Sequence, residues 1–257
     1  MTSSAEMEAK SAAYLPHRRA IEAGDREALV RARREAINLV QWLARIANSF
    51  AAGRTPEERV LLEFRAADAA FVTKPFDRDI ALEMRLPSLE MQFLESDRPV
   101  PHIFDPEEHS PAEVEAWLLV ELLHRGIDRT KFSKGLPYEV LDLMTGDAED
   151  HSPQACRQGL TQLAAWFRNA AAVLAAADGS GRGRVVCLPQ TLDLICLSGR
   201  GCEAAFGFSL GDAQHPEPFY YVGAANSRQR SILTASQLAA EPDPAATVTR
   251  FIRAAVA

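Results

Sequence analysis

The chain reads as an α+β fold, with largely antiparallel sheets and helices packed on one face. Three observations predict it. Apolar and polar residues alternate in paired runs joined by short turns, the pattern of antiparallel strands with one dry and one wet face. Other stretches carry apolar residues at three- and four-residue steps behind capping residues, the pattern of helices that cover a dry face. The elements run helix, about four strands, helix, and then repeat that order. This suggests two similar halves, 25–126 and 152–257, with an N-terminal extension 1–24 and a connection 127–151. No residue-level repeat accompanies the order. At 257 residues, 47% apolar and 25% charged, the chain is long enough to bury a core as one compact unit.

In the first half, Asp25 after Gly24 is a candidate N-cap for a long helix. Leu29, Ala32, Ala36, Leu39, Val40, Leu43, Ile46, Ala47 and Phe50 form its apolar stripe, which ends before Gly53. Arg33, Arg34, Gln41 and Arg45 fall mostly off that stripe, and Trp42 and Asn48 are read as packing and solvated residues. Thr55-Pro56-Glu57-Glu58 resembles a helix opening, but Val60, Leu62 and Phe64 alternate with Leu61, Glu63 and Arg65, which favours a strand, with a helix as the rival. A second strand is expected over Ala69 to Thr73. Ile80 to Leu86 and Leu89 to Phe93 alternate around Pro87-Ser88 and predict a hairpin, wet on one face. Val100 to Phe104 would add an edge strand restricted by Pro99 and Pro101. Ser110-Pro111-Ala112-Glu113 has capping-box spacing and opens a helix that runs to His124-Arg125, with Gly126 as its stop.

Asp128 to Asp150 reads as a long irregular connection. In the second half, Ser152-Pro153 caps a helix through Leu160, Trp166, Phe167 and Leu174. The stretch Val185 to Val222 holds the densest β-pattern: strands around Val186–Leu188 and Leu192–Cys196, a reversal at Ser198-Gly199-Arg200-Gly201, an alternating run Ala204–Ser209, and the aromatic strand Phe219–Val222. Ile232-Leu233 adds a last short strand, and Asp243-Pro244 begins a terminal helix.

With 28 basic residues against 35 acidic ones, the net charge of -7 repels nucleic-acid backbones and anionic membrane surfaces. The start of the chain lacks the apolar core of a signal peptide, and no apolar run is long enough to cross a bilayer. A cytoplasmic protein is therefore expected, with neither nucleic acid nor membrane as partner. Cys156, Cys187, Cys196 and Cys202 match neither a zinc spacing nor a secreted disulfide scaffold, so they read as buried or idle thiols. The competing reading places Cys187 opposite Cys196 across a hairpin as a metal or redox pair. His109 and His124 bracket one helix about 22 Å apart, too far to share an ion, and His124 reads as a partner of the helix dipole.

The best place to look for activity is the loop Leu210 to Pro218, because Pro216 and Pro218 stiffen it and push His215 and Glu217 into extended geometry. Asp193, Asp212, His215, Glu217 and Tyr220 are the candidate ligand-binding residues: a histidine beside carboxylates can act as a general base. In the plainer reading, Asp212 caps a turn, His215 and Glu217 are solvated, and Tyr220 packs.

From about Gln41 onward the chain resembles a family of uncharacterised bacterial proteins. Its members carry a Trp-Pro-His-His-Phe-Asp strand, then a Ser-Pro-Gly-Asp loop leading to Glu-Pro-Tyr and an aromatic strand. Here the matching segments are Leu188-Pro189-Gln190-Thr191-Leu192-Asp193, Ser209-Leu210-Gly211-Asp212, and Glu217-Pro218-Phe219-Tyr220-Tyr221-Val222. Gln190 and Thr191 replace the paired histidines, so any metal function of those histidines is lost in this chain. The resemblance implies a shared fold and nothing about a reaction.

No nucleophile elbow, Rossmann fingerprint or zincin pair is present, and neither a cofactor nor a metal is expected. The expected function is that of a soluble binding or assembly module, with a homodimer as partner. The alternative is an enzyme or small-molecule-binding protein with a pocket near Asp193, Asp212, His215, Glu217 and Tyr220.

Overall fold

The computed structural model describes residues 23–178, 183–197, 206–223 and 230–256. They form an α+β fold in which the β-ladders are antiparallel. The chain divides into two units, one of Ala28–Ala164 with Leu188–Thr191, the other of Met1–Glu27, Ala165–Cys187 and Leu192–Ala257. Among the described residues no helix is long and apolar enough to cross a membrane.

The first of these units is built around helix α1 (Ala23–Phe50). Asp25 lies inside α1 rather than at its cap, since the helix begins two residues earlier. Burial of α1 is wider than the expected stripe: besides Ala36, Leu39, Leu43 and Ile46, it takes in Glu35, Asn38, Gln41, Trp42 and Arg45. The cause is the 127–151 connection, which hydrogen-bonds along the polar side of α1. Asn38 Oδ1 accepts from the Met144 amide at 2.7 Å, Gln41 Oε1 accepts from the Tyr138 hydroxyl at 2.9 Å, and Asn48 Nδ2 donates to the Gly135 carbonyl at 3.0 Å. Arg34 makes a two-pronged contact with Glu149, and Nδ1 of His151 lies 3.0 Å from Glu35 Oε2. Arg45 stacks 4.2 Å over the Trp42 ring, and burial lowers its pKa.

Helix α2 (Pro56–Val60) follows, where alternation favoured a strand from Val60. The local cap decides the matter, because Thr55 Oγ1 accepts from the Glu58 amide at 3.2 Å with Pro56 in the first turn. Strand character begins only at β1 (Leu62–Arg65). It continues through β2 (Ala70–Val72), β3 (Ile80–Arg85), β4 (Met91–Glu95) and β5 (Arg98–Pro99), which pair in chain order as a meander. The β3–β4 hairpin is buried on both faces, not wet on one: Glu83 and Gln92, cross-strand partners, are 5% and 8% exposed. Arg85 Nε satisfies Glu83 at 3.1 Å, and the Gln92 amide donates to the Val100 carbonyl as the chain folds back. No strand forms over Val100 to Phe104: the edge strand is β5, which ends at Pro99, and the expected span keeps a single bridge from Phe104 to Met91. Pro99 and Pro101 lack the amide hydrogens that a longer ladder requires.

Helix α3 (Pro111–His124) opens with the expected capping box. Ser110 Oγ accepts from the Glu113 amide, and Glu113 Oε2 accepts from the Ser110 amide at 2.8 Å. It stops in a Schellman arrangement, with Gly126 at φ 67°, its amide donating to Leu123 and the Ile127 amide to Leu122.

After a short 3-10 turn comes α4 (Arg157–Ala177). In the second unit β6 (Arg184–Leu188), β7 (Asp193–Leu197), β8 (Phe206–Ser209), β9 (Phe219–Val222) and β10 (Ser231–Thr234) also follow one another as a meander. Trp166 and Phe167 of α4 pack on Phe208 with ring centroids 5.9 and 6.1 Å apart, and Phe208 packs on Tyr220 at 5.1 Å. Helices α5 (Ala235–Ala239) and α6 (Pro244–Val256) close the chain, and the Asp243 carboxylate accepts from the Ala246 amide at the start of α6. The reversal expected at Ser198–Gly201, along with Ala204, Ala205 and Cys202, lies outside the described residues. Cys156, Cys187 and Cys196 are free and buried. Burial pushes the Cys156 and Cys196 thiols up to about 11 and raises Cys187 well above the usual thiol value, which keeps them protonated near neutrality.

Candidate functional site

The five residues singled out in the sequence share the second unit but not a common centre. Asp212 and His215 do meet. Asp212 Oδ1 accepts from the amides of Gln214 and His215 at 2.9 and 2.8 Å and lies 3.4 Å from the His215 ring, while Arg230 reaches Oδ2 at 3.3 Å. Burial alone would raise the Asp212 carboxyl, but the two amide donors together with the charges of His215 and Arg230 outweigh it and hold its pKa below the usual value. This carboxylate shapes its own loop. Glu217 turns to α5, where Oε2 accepts from the Ser236 amide at 2.8 Å and from its hydroxyl at 2.5 Å. Tyr220 is a core ring, 1% exposed. Asp193 is buried at the head of β7 beside Tyr221. Burial, followed by the charge of Asp193, raises the Tyr221 hydroxyl well above the usual tyrosine range.

A tighter constellation forms in the first unit, at the carboxyl end of α3. His102, Glu121 and His124 each bring a donor atom to one place, all within 4.8 Å of one another. Glu121 and His124 are three residues apart, so both project from neighbouring positions on α3. His102 arrives from the loop after β5. That loop is pinned at Phe104, which exchanges backbone hydrogen bonds with Met91 and packs 5.0 Å from the Trp117 ring of α3.

The three groups are unequal in exposure. The Glu121 side chain is 4% exposed, whereas those of His102 and His124 are 64% and 56% exposed. Nδ1 of His102 lies 3.2 Å, and Nδ1 of His124 3.5 Å, from the same carboxylate oxygen, Oε1. The other oxygen, Oε2, is taken by Arg125, whose Nη1 donates at 2.6 Å. Arg125 is fixed in turn: its guanidinium stacks 4.4 Å over Phe93, Nε lies 3.4 Å from Glu95, and its carbonyl accepts from Arg78. A buried carboxylate thus presents one committed and one available oxygen beneath two solvent-facing imidazoles.

Exposed apolar side chains adjoin these three residues in the chain. Ile103, Val120 and Leu123 are 50%, 45% and 55% exposed, and each is the chain neighbour of one of the three polar residues. Only the Glu-x-x-His spacing on α3 was a readable trace of the cluster, since that pattern sets a carboxylate and an imidazole side by side. His102 carried no such trace, being joined to α3 by tertiary folding alone. His124 therefore does more than face the helix dipole: it shares a carboxylate with a histidine from another segment. In comparisons with known proteins, no family model, no curated protein and no solved structure matches the chain.

Proposed function

We propose that the chain is a binding and assembly module whose contact face is the carboxyl half of α3 with the loop at His102–Ile103, and that a second copy occupies this face. The observation that carries the reading is the exposure of Ile103, Val120 and Leu123 next to the convergent residues His102, Glu121 and His124. These apolar residues are three of the six exposed large hydrophobic side chains among the described residues, and each is the chain neighbour of one of the three clustered polar residues. A two-fold contact sets such a face against itself, apolar against apolar. Val120 and Leu123 lie one turn apart, so two α3 helices crossing there bring each leucine near the other copy's valine. The carboxylate within the patch is already matched by Arg125, so like charges are not forced together although each chain carries -7 overall.

Burying one such side chain on each copy is worth about 1.5–3 kcal/mol, and the symmetry counts it twice. Leu123→Glu, which removes two leucines and buries two carboxylates, is expected to weaken the dimer by at least about 100-fold. Sedimentation velocity on the full chain over the micromolar range tests this. A dimer that the substitution dissociates supports the reading, and a strict monomer, or a dimer indifferent to Leu123→Glu, refutes it.

A further inference from the structure

From the geometry of His102, Glu121 and His124 we infer a binding site for one divalent first-row transition-metal ion of the zinc class. The inference stands on the three side chains of a single chain and does not require the dimer.

The donor set selects the ion. Two imidazoles and one carboxylate suit zinc and its neighbours, whereas calcium and magnesium require six or more oxygens around them. Glu121 can supply only Oε1, because Oε2 is held by Arg125, so it binds through one oxygen and cannot chelate a large hard cation with both. Spacing agrees with a tetrahedral centre. Metal bonds of about 2.0–2.1 Å place neighbouring ligand atoms about 3.3 Å apart. The two distances from Glu121 Oε1, to His102 and to His124, are 3.2 and 3.5 Å. The third edge, between His102 and His124, is no longer than 4.8 Å, and both imidazoles that must turn to close it are exposed.

Charge and support also agree. Glu121, Glu95 and Arg125 sum to one negative charge at the site, favouring a cation. The bond from Arg125 to the ligating carboxylate is the kind of outer contact that orients a metal ligand, and the stacking of Arg125 on Phe93 holds that contact in place. With three protein donors, the ion keeps at least one position open to water or to a donor from outside, and the exposure of both histidines leaves that position accessible. A bound ion would also tie the loop after β5 to α3. Without one, the same atoms form an ordinary hydrogen-bonded set, which is the competing reading.

The test uses the full chain with cobalt(II) and zinc(II) as probes, followed by visible absorption and calorimetry. One equivalent is expected to bind, with the intense visible bands of a low-coordinate cobalt centre that zinc displaces and that excess magnesium or calcium leaves in place. His102→Ala and His124→Ala should each weaken binding at least about ten-fold, and the double variant should abolish the bands. Both histidines are exposed, so the metal-free variants should keep the wild-type circular dichroism and Tm. Repeating the titration on Leu123→Glu separates the two proposals: a monomer that still binds one ion supports this site whatever becomes of the dimer. Absence of stoichiometric binding to the wild type, or bands unchanged in the double variant, overturns the inference.

Discussion

Replacing Gln41 by leucine removes a polar side chain of α1 that makes three hydrogen bonds. Gln41 is fully buried, its Nε2 donates to the Pro189 carbonyl at 2.8 Å and to the Ile37 carbonyl at 2.9 Å, and its Oε1 accepts from Tyr138. The Ile37 carbonyl keeps its place in the helical ladder, so the losses fall on Pro189 and Tyr138. Leaving a buried carbonyl without its donor costs about 1–3 kcal/mol, and the lost hydroxyl bond adds about 1. The extra apolar surface of leucine offsets about 1. The net expectation is destabilisation by about 1–3 kcal/mol, read as a lower midpoint in urea at an unchanged slope. Asn48→Ala is the milder comparison: it cuts a bond to the exposed Gly135 carbonyl and a long one, 3.3 Å, that Oδ1 accepts from Arg59, and should shift stability by no more than about 1 kcal/mol. If Gln41→Leu unfolds at the wild-type midpoint, the connection is not held to α1 through this residue and the account of that interface fails.

Two further outcomes are expected. Gly207→Ala would drive a Cβ into the Leu194 carbonyl of the neighbouring strand and to 2.7 Å from the Tyr221 hydroxyl; overpacking of this kind costs about 1–3 kcal/mol, and an unchanged Tm would disprove the close β7–β8 approach. The depressed Asp212 carboxyl makes its loop acid-sensitive: its contribution is complete above the unfolded aspartate range and is lost as pH falls through the lower folded value. The amide shifts of Gln214 and His215 should report that step by NMR, and Asp212→Asn should remove it; persistence of the same titration in the variant would assign it to another group.

Much of the architecture was legible because its signals are local. The Ser110–Glu113 capping box, the Gly126 stop, the Asp243 cap and the alternation over Ile80–Phe93 act within a few residues, and each marks a boundary in the fold. Residues 55–65 show two local signals in conflict, with the cap holding the chain helical to Val60 and the alternation prevailing from Leu62. The candidate site was less legible. Of the five residues expected to converge, Asp212 and His215 do, but Glu217, Asp193 and Tyr220 go to separate internal partners.

By itself the sequence determined the fold class and those helix and strand boundaries that a cap, a stop or an alternating run marks, since caps, turns and periodicity operate at short range along the chain. Tertiary structure alone decided what lies against what. The 127–151 segment folding over α1 buries Gln41 and Arg45, and the return of residues 98–104 past β4 buries Gln92 and delivers His102 to Glu121 and His124. Burial and convergence depend on the segment that covers a surface, and that segment is distant in sequence, so no window of neighbouring residues contains the information.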